Sequence, residues 1–498
     1  MGERVRETER KYETAGDGPS LGPDGLTGLP GVSSVATPEP VRLDAVYYDT
    51  PDLALAAHRR TLRRRTGGDD AGWHLKLPTA EADTRTEVHA PLGSAADQPP
   101  PELLSEVAAV VRGRPLAPVV RLRTTRRPAL LRDKAGRTLA EIAYDEVAAS
   151  APGGPDTAWT EVEVELRDGK ARLLDAVEER LTASGLRRSA SPSKLARALG
   201  DRLVPLPRPA DPARTAGQVA TAYLHAQLTA LLTLDPAVRR AEEDAVHRMR
   251  VATRRARSAL KSFRRELDRT ATDPLGGELR WLAGVLGLER DREVLAERLA
   301  RRLAELDPAL VNPKVRRRVT PPAGHSGVHA VVVRELDGPR YFGLLYTLES
   351  LLTAPPFRPA ADVGAGRAAA ATVRRDHARL RRRIEAALRL PPGDDRDTAL
   401  HEARKDAKRA RYSSEAAESV LGASATDHTT RMKSVQQLLG EHQDSVMCRR
   451  VLADLRHQAR AAGENPAPYK AMSRRERELA TAVEARLPEV WRAADRTV

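Results

Sequence analysis

The first 200 residues alternate between polar and apolar positions in short runs, whereas the later chain consists of long Ala/Leu/Arg-rich stretches with helical spacing. Segments such as TRTEVHAPL and WTEVEVEL change character at every second residue, and Gly, Pro and Asp clusters separate them. Strict alternation is typical of β-strands, and turn residues at this spacing favour an antiparallel sheet or barrel. The pattern therefore predicts an α+β protein with a β-rich first part and an all-helical second part.

A proline-rich segment, RLVPLPRPADP, separates the two patterns. Repeated prolines cannot sustain a helix, so this segment reads as a linker. The chain has 498 residues, which is too long for one hydrophobic core. We predict a first domain over residues 1–204, a linker over 205–214 and a second domain over 215–498.

The alternation in the first domain places charges on shared strand faces, since residues two apart point the same way. VRETERKYE puts Glu7, Glu9 and Lys11 on one face. Later strands repeat the habit: Arg63 with Arg65, His74 with Lys76, Arg85 with Glu87, Arg121 with Arg123, Glu141 with Asp145, and Glu161 with Glu163 and Glu165. An ordinary half-buried strand would turn such charges to solvent. Eight strands with this habit weaken that interpretation, and a closed barrel could instead turn the charges inward.

A lumen lined by both acids and bases has a definite chemistry. Clustered carboxylates suit a hard divalent cation such as Mg²⁺ or Mn²⁺. Clustered Arg and Lys suit phosphate oxygens, so a metal-chelated oligophosphate satisfies both sets. The matching reaction is attack of water on a phosphoryl group. No Ser-His-Asp set, P-loop or Cys-His zinc pattern is evident in the sequence.

An ordered series of motifs gives the first domain a family resemblance. ETERK fits an E-x-E-x-K signature and is followed by YYDTPDLALAAHRRTLRRR, HLKLP, TRTE, EIAYDEV, EVEVEL and SPSKLARAL. Over about residues 3–200 the chain resembles the CYTH family, the triphosphate tunnel metalloenzymes. The resemblance implies an eight-stranded antiparallel tunnel with flanking helices that cleaves triphosphates with Mg²⁺ or Mn²⁺.

The resemblance also implies roles for individual residues. The metal ligands would be Glu7, Glu9, Glu161 and Glu163. The phosphate ligands would be Lys11, Arg63, Arg65, Lys76, Arg85, Arg123 and Lys194. Of all these, Lys11, Glu9, Arg63 and Lys76 would be catalytic. Arg126 competes with Arg123 because the RLRTTRR stretch can be registered in two ways, and Asp145 and Glu165 are secondary candidates.

The second domain contains an internal repeat. VHRMRVATRRAR (246–257) matches LHEARKDAKRAR (400–411) as H-x-x-R-x-x-x-[RK]-R-x-R, and LGLERD (286–291) matches LGEHQD (439–444) at nearly the same offset. Two independent matches at one offset indicate a duplicated helical unit. The sequence therefore predicts two related helical halves.

Each repeat carries a basic stripe at helical spacing, headed by a histidine. A solvated charged face is the ordinary interpretation of one such helix. Like charges four residues apart destabilise a helix, so a basic stripe has a cost in stability. Because the chain carries this stripe twice, we infer that the stripes bind an anionic partner. Over about residues 213–498 the chain resembles the CHAD family, the conserved-histidine α-helical domain. The resemblance implies two pseudo-symmetric helical bundles around a basic cleft that binds inorganic polyphosphate through His247, Arg250, Arg254, Arg257, His401, Arg404, Lys405, Lys408 and Arg411.

Charge and composition support this division. The net charge is +14, and residues 1–200 hold 29 Lys/Arg against 30 Asp/Glu while the remaining chain holds 54 against 39. The positive excess of the second domain suits a polyanion. Nucleic acid is disfavoured because aromatic residues make up only 3% of the chain and no reader motif is present.

The remaining features concern the compartment. Cys448 is the single cysteine, so no internal disulfide can form. The sequence has no apolar run of membrane-spanning length and no signal-peptide pattern. We therefore expect a cytoplasmic protein without a membrane partner, with polyphosphate granules as a candidate location. The sequence predicts no oligomeric state.

The function predicted from these features is metal-dependent hydrolysis of inorganic triphosphate (tripolyphosphate) or a related triphosphate, with polyphosphate bound by the helical domain. Several alternatives stay open. The tunnel could be inactive in a protein that only binds or targets to polyphosphate. It could also belong to a nucleoside or thiamine triphosphatase, or to a class IV-type adenylyl cyclase.

Overall fold

The structure is a computed structural model that describes residues 3–14, 23–93, 98–319 and 325–498. The chain divides into two compact units, Met1–Leu206 and Pro207–Val498. The division falls within the proline-rich segment noted above. In the described part of the chain, no helix combines the length and apolar character needed to cross a membrane.

The first unit is mostly β-structure with four helices in its described residues. Its strands are β1 (Glu3–Thr14), β2 (Ser34–Ala36), β3 (Val41–Asp49), β4 (Thr61–Thr66), β5 (Gly72–Pro78), β6 (Thr84–Ala90), β7 (Ala117–Arg132), β8 (Thr138–Ser150), β9 (Thr157–Leu166) and β10 (Leu186–Arg188). Its helices are α1 (Ala54–Ala57), α2 (Pro101–Val111), α3 (Ala171–Ala183) and α4 (Lys194–Leu199).

Eight of the strands close into an antiparallel barrel. They pair in the order β1-β6-β5-β4-β3-β7-β8-β9, and β9 pairs with β1 to complete the circle. The short strands β10 and β2 pair with β1 and β7 as additions to this circle. The predicted eight-stranded barrel is therefore confirmed.

The two faces of the strands have different surroundings. On the outer face, Tyr12, Ile142 and Val164 are buried in one cluster with Leu173 and Val177 of α3. This apolar covering lets the opposite face carry charges into the lumen, because alternate residues of a strand point to opposite sides.

One end of the lumen is filled by α4. Leu195 and Leu199 of this helix pack in one buried cluster with Leu122 and Val147, which lie on the inward face of β7 and β8. Ser193 caps the helix by accepting a hydrogen bond from the Ala196 N–H, so the charged residue at the first helical position is held at the lumen. This packing explains how a residue after the last barrel strand reaches the site.

The second unit is helical throughout its regular elements, which confirms the predicted all-α domain. Its helices are α5 (Ala216–Arg239), α6 (Ala245–Ser262), α7 (Arg269–Val285), α8 (Gly287–Ala304), α9 (Pro313–Val319), α10 (His325–Leu336), α11 (Pro339–Thr353), α12 (Ala365–Arg389), α13 (Asp394–Leu421), α14 (Ala423–Ala461) and α15 (Ala467–Ala494). The two copies of the histidine-headed motif lie on α6 and α13, and these helices contact each other.

Candidate active site and anion cleft

The barrel encloses a cavity of about 490 Å³ whose described lining carries eight carboxylates and eight cationic side chains. All eight barrel strands contribute to this lining. The charges of the alternating strands therefore face inward, as the barrel interpretation required. A lumen with balanced charge suits a ligand that itself combines cations and anions.

Carboxylates and lysines alternate in the part of the lumen formed by β1, β5 and β9. The Lys11 ammonium contacts Glu163 directly and lies 3.2 Å from Oε1 of Glu9. The Lys76 ammonium lies 2.6 Å from Oε2 of Glu7 and 3.5 Å from Oε2 of Glu9. The structure thus brings together five of the residues predicted to lie in the site: Glu7, Glu9, Lys11, Lys76 and Glu163.

Burial and neighbouring charges divide these carboxyl groups into two kinds. Burial raises the pKa of Glu7 to about 8, and a hydrogen bond with Glu87 adds to this effect. Burial also works to raise the pKa of Glu9, but Lys11 and Lys76 outweigh it and lower that pKa to about 2. Burial therefore favours the protonated form of Glu7 more than that of Glu9, and a divalent cation binding there would favour the deprotonated form of both.

Lys194 at the start of α4 binds a second acidic group. Its ammonium lies 2.7 Å from both Glu161 and Glu163 and 3.0 Å from Asp145. Glu161 is buried, accepts a hydrogen bond of 2.6 Å from the indole N–H of Trp159, and does not line the cavity. Of the four predicted metal ligands, the structure places Glu161 deeper, behind Lys194.

The structure decides between the two registrations of β7. The Arg126 guanidinium lies 2.7 Å from Asp145 and 2.8 Å from Glu163 and lines the cavity. The Arg123 side chain is 66% exposed, and its nearest carboxylate is Asp44 at 3.8 Å. Three residues is an odd step along a strand, so the two side chains point to opposite faces. This placement corrects the prediction that Arg123 lines the lumen.

Three further predicted arginines lie at the cavity. Arg63 donates a hydrogen bond of 3.4 Å to the Tyr47 hydroxyl and lies 3.8 Å from Glu87. Burial, together with the neighbouring Arg63, lowers the pKa of Arg65 to about 9. Arg85 lies 3.9 Å from Glu9 and donates to backbone carbonyls. Arg65 is thus a buried cation that lies near Arg63 and Arg126 and pairs with the exposed Asp70, and an incoming phosphate would supply a further counter-charge.

The barrel cavity is also lined by residues that are not among the predicted metal or phosphate ligands, including Glu87, Asp70 and Arg167. Oε1 of Glu87 lies within hydrogen-bond distance of Nδ1 of His74, at 3.0 Å. Asp70 forms an ion pair with Arg65. Arg167 lies 2.8 Å from Glu165 and 2.9 Å from Glu141. Strand alternation had placed Glu87 on one charged face with Arg85, but without a role in the site. Asp70 lies in the turn between β4 and β5, where no pattern marks it.

In the helical unit, four predicted cations from α6 and α13 lie close enough to influence one another electrostatically. Burial lowers the pKa of Lys408 to about 7, and Arg404, Arg254 and Arg250 add to this effect. The nearby acid is Asp444, whose own pKa is raised by burial. We call Arg250, Arg254, Arg404 and Lys408 the central cluster. Because burial and neighbouring cations lower the pKa of Lys408 and of Arg254, an anion bound there would stabilise their charged forms.

The other predicted cleft residues surround this cluster or pair with neighbours. Lys405 is exposed and lies 2.6 Å from Glu402. Arg411 pairs with Glu415 at 2.9 Å, and Nδ1 of His401 lies 2.7 Å from the Gln443 side chain. His247 is half-buried on α6, in the same stripe. Arg257 is half-buried beside Arg280 of α7, a basic residue outside the repeated motif.

Comparison with known proteins places this architecture in a class. The family model described as CYTH domain matches residues 6–199, and the one described as CHAD domain matches residues 222–453. The uncharacterized protein Rv2226 of Mycobacterium tuberculosis (strain ATCC 25618 / H37Rv) is 38% identical over 516 residues, which cover 99% of this chain and 97% of that protein. The chain belongs to the family of proteins that join a CYTH domain to a CHAD domain.

Two solved structures resemble parts of the chain. PptA from Streptomyces chartreusis has a TM-score of 0.45 and 22% identity, over 56% of this chain and 99% of that one. The CHAD domain from the plant Ricinus communis has a TM-score of 0.44 and 24% identity, over 57% of this chain and 92% of that one.

Proposed function

We propose that the barrel unit hydrolyses inorganic triphosphate with a divalent cation and that the helical unit binds polyphosphate. The observation that carries the first part is the lumen itself, where eight carboxylates face eight cationic side chains. A bare polyanion would be repelled by the carboxylates, whereas a metal-chelated one offers each set an opposite charge. In a cell, polyphosphate binding would bring the protein to cytoplasmic polyphosphate granules.

The donor set fits a hard cation. Glu7, Glu9 and Glu163 offer carboxylate oxygens around one part of the cavity, and oxygen ligands suit Mg²⁺ and Mn²⁺. When bound, such an ion would polarise a phosphoryl oxygen and lower the pKa of a water ligand. Lys11 holds Glu9 and Glu163 ionised, because its charge favours their deprotonated forms.

The cations of the lumen would hold the phosphates. Arg65 and Arg126 lie on strands β4 and β7, and Lys76 lies on β5, so they reach the cavity from different sides. Cations at these positions would neutralise charge that spreads over the phosphoryl oxygens as the bridging bond breaks. Catalysis by the chain would consist of positioning and charge stabilisation.

The composition of the lining favours an inorganic substrate. Tyr47 is the one aromatic side chain among the described residues that line the cavity, and its hydroxyl accepts a hydrogen bond from Arg63. A nucleobase or thiamine ring commonly binds on aromatic faces. A nucleoside triphosphatase, a thiamine triphosphatase or a cyclase therefore has less support than a tripolyphosphatase.

The direct test is phosphate release from tripolyphosphate, ATP and thiamine triphosphate, each with Mg²⁺ and with Mn²⁺. We expect tripolyphosphate to be hydrolysed fastest. Lys11→Ala and Glu9→Ala should each lower kcat/KM by about 100-fold, since each removes a charge in contact with the reacting groups. Equal rates in the wild type and both variants would reject the barrel as the catalytic site.

The helical part of the proposal depends on the convergence of the central cluster. Replacing His247, Arg250, Arg404 and Arg411 together by Ala should weaken binding of long polyphosphate by about 30-fold at moderate salt, if each contact contributes about 0.5 kcal/mol. The matched control replaces four exposed arginines elsewhere in the unit: Arg316, Arg317, Arg460 and Arg477. Fluorescence anisotropy with labelled polyphosphate measures both affinities, and equal losses would indicate only non-specific attraction.

Lys408 should make this binding sensitive to pH. Burial and neighbouring cations lower its pKa to about 7 in the free protein, while a bound polyanion favours its charged form. Binding therefore takes up a proton above pH 7, and affinity should fall as pH rises from about 7 to 9. Lys408→Arg keeps the charge throughout this range and should flatten the profile. An unchanged profile in that variant would exclude Lys408 as the titrating group.

A further inference from the structure

A second basic site lies just beyond the end of α6. Arg264, Arg265, Arg269 and Arg358 line a recess of about 380 Å³, together with Pro359 and Ala360. Arg269 pairs with Asp273 at 2.8 Å. Within the described part of the chain, the other three arginines have no carboxylate within ion-pair distance. The lining of the recess therefore carries an excess of positive charge.

The main chain holds these like charges together. Leu267 and Phe357 form an isolated antiparallel bridge. Beside it, the Asp268 N–H donates to the Pro356 carbonyl and the Arg358 N–H donates to the Glu266 carbonyl, both at 2.9 Å. Arg358 is thus fixed against the turn that carries the other arginines.

The first turn of α7 adds to the same field. This helix begins at Arg269, and the N-terminus of a helix carries a partial positive charge. Asp268 caps the helix, its carboxylate accepting a hydrogen bond of 3.0 Å from the Thr270 N–H. Arg358 also helps to lower the pKa of this carboxyl, so Asp268 offsets part of the charge of the recess and the arginines remain in excess.

A row of basic side chains connects the recess with the central cluster. Burial lowers the pKa of Lys261, and Arg257, Arg409, Arg280 and Lys405 add to the effect. Burial likewise lowers the pKa of Arg375, and Arg265 and Arg409 act in the same direction. These mutual effects require the groups to be close neighbours. Asp376 and Glu266 act on Arg375 in the opposite direction, and Asp376 pairs with Arg409 at 3.1 Å, so basic groups connect the stripe of α6 with the recess but acids lie among them.

We propose that the recess is a second anion subsite, which holds distal phosphates of a long polyphosphate chain whose other phosphates occupy the central cluster. This inference rests on the proposed function of the helical unit. Along α6, Ser262 lies about 12 Å from Arg254 at 1.5 Å per residue, farther than a tripolyphosphate with two bridging bonds extends. A long chain spans both places, and its second contact is intramolecular.

The chemistry of the recess favours inorganic phosphate over nucleic acid. Its described lining offers guanidinium groups, one proline and one alanine, with no aromatic side chain for stacking on bases. Arginine binds phosphate oxygens in bidentate geometry and keeps its charge at all physiological pH values.

The test compares two triple variants of the full chain in the presence of EDTA, which stops metal-dependent hydrolysis. The first is Arg264→Gln, Arg265→Gln and Arg358→Gln. The second, a matched control, is Arg316→Gln, Arg317→Gln and Arg460→Gln, where all three side chains are likewise exposed. Affinities for long-chain polyphosphate and for tripolyphosphate are measured by competition against labelled long-chain polyphosphate. Circular dichroism confirms that both variants stay folded.

We expect the first variant to bind long polyphosphate about tenfold more weakly, for three exposed contacts of about 0.5 kcal/mol each, and tripolyphosphate as before. The salt dependence of long-chain binding should become shallower, because fewer counterions are released. Equal losses in the two triple variants, or equal losses for both ligands, would overturn the subsite. If the wild-type chain binds no long polyphosphate, the proposed polyphosphate binding fails together with the subsite. If the wild type binds long polyphosphate and the first variant binds it equally well, the subsite alone fails.

Discussion

Arg126→Gln is expected to lower kcat/KM for tripolyphosphate by about 1000-fold, while Arg123→Gln leaves it within about twofold. The two residues lie three positions apart on β7, but only Arg126 lines the charged cavity. A guanidinium at the phosphates stabilises charge that develops during bond breaking, and glutamine cannot supply that charge. Phosphate-release kinetics with Mg²⁺ measure both effects.

A control separates lost chemistry from lost structure. Arg126 also pairs with Asp145, whose side chain is fully buried, so Arg126→Gln leaves that carboxylate with Lys194 as its remaining cation. Arg126→Lys keeps the charge without the bidentate geometry and should restore thermal stability while recovering only part of the activity. If Arg123→Gln and Arg126→Gln reduce the rate equally, the inward placement of Arg126 has no catalytic meaning.

Glu476→Ala is expected to destabilise the helical unit by about 3–5 kcal/mol. Glu476 on α15 is fully buried, and its carboxylate accepts three hydrogen bonds of 2.7–3.0 Å from Arg298 on α8. Arg302 lies 3.7 Å away. Removing the carboxylate leaves the buried Arg298 without its main counter-charge, whereas Arg302 keeps Glu305 at 2.7 Å. The loss at Arg298 costs far more than losing a surface pair.

Glu441 supplies the matched control for this prediction. It also contacts Arg298, at 3.0 Å, but its side chain is 51% exposed. Glu441→Ala should therefore lower the free energy of unfolding by less than about 1 kcal/mol. Denaturant unfolding followed by far-UV circular dichroism reports on the helical unit. Equal shifts in the two variants would show that burial of Glu476 does not determine its contribution.

Strand alternation was sufficient to predict most of the lumen because side-chain direction in a strand depends only on local parity. Glu7, Glu9 and Lys11 share the inward face that the sequence indicates. The same rule could not decide between Arg123 and Arg126, because the stretch RLRTTRR carries charges on both faces. The decision comes from pairing with β8, where Arg126 lies opposite Asp145.

Depth along the lumen could not be predicted from the sequence. Glu161 and Glu163 have the same parity, but only Glu163 lines the cavity, because Lys194 and Trp159 occupy the space around Glu161. That arrangement depends on where α4 packs, which is a tertiary contact. Likewise, the repeat predicted the basic faces of α6 and α13, but not the approach of Arg280 from α7, which lies outside the motif.

The position of α4 at one end of the barrel affects how long polyphosphate chains would be hydrolysed. Leu195 and Leu199 pack at one end of the barrel against Leu122 and Val147. If the lumen acts on polyphosphate as proposed, α4 would obstruct that end and favour entry of a chain terminus over threading of the whole chain. Hydrolysis would then shorten long polyphosphate from its ends.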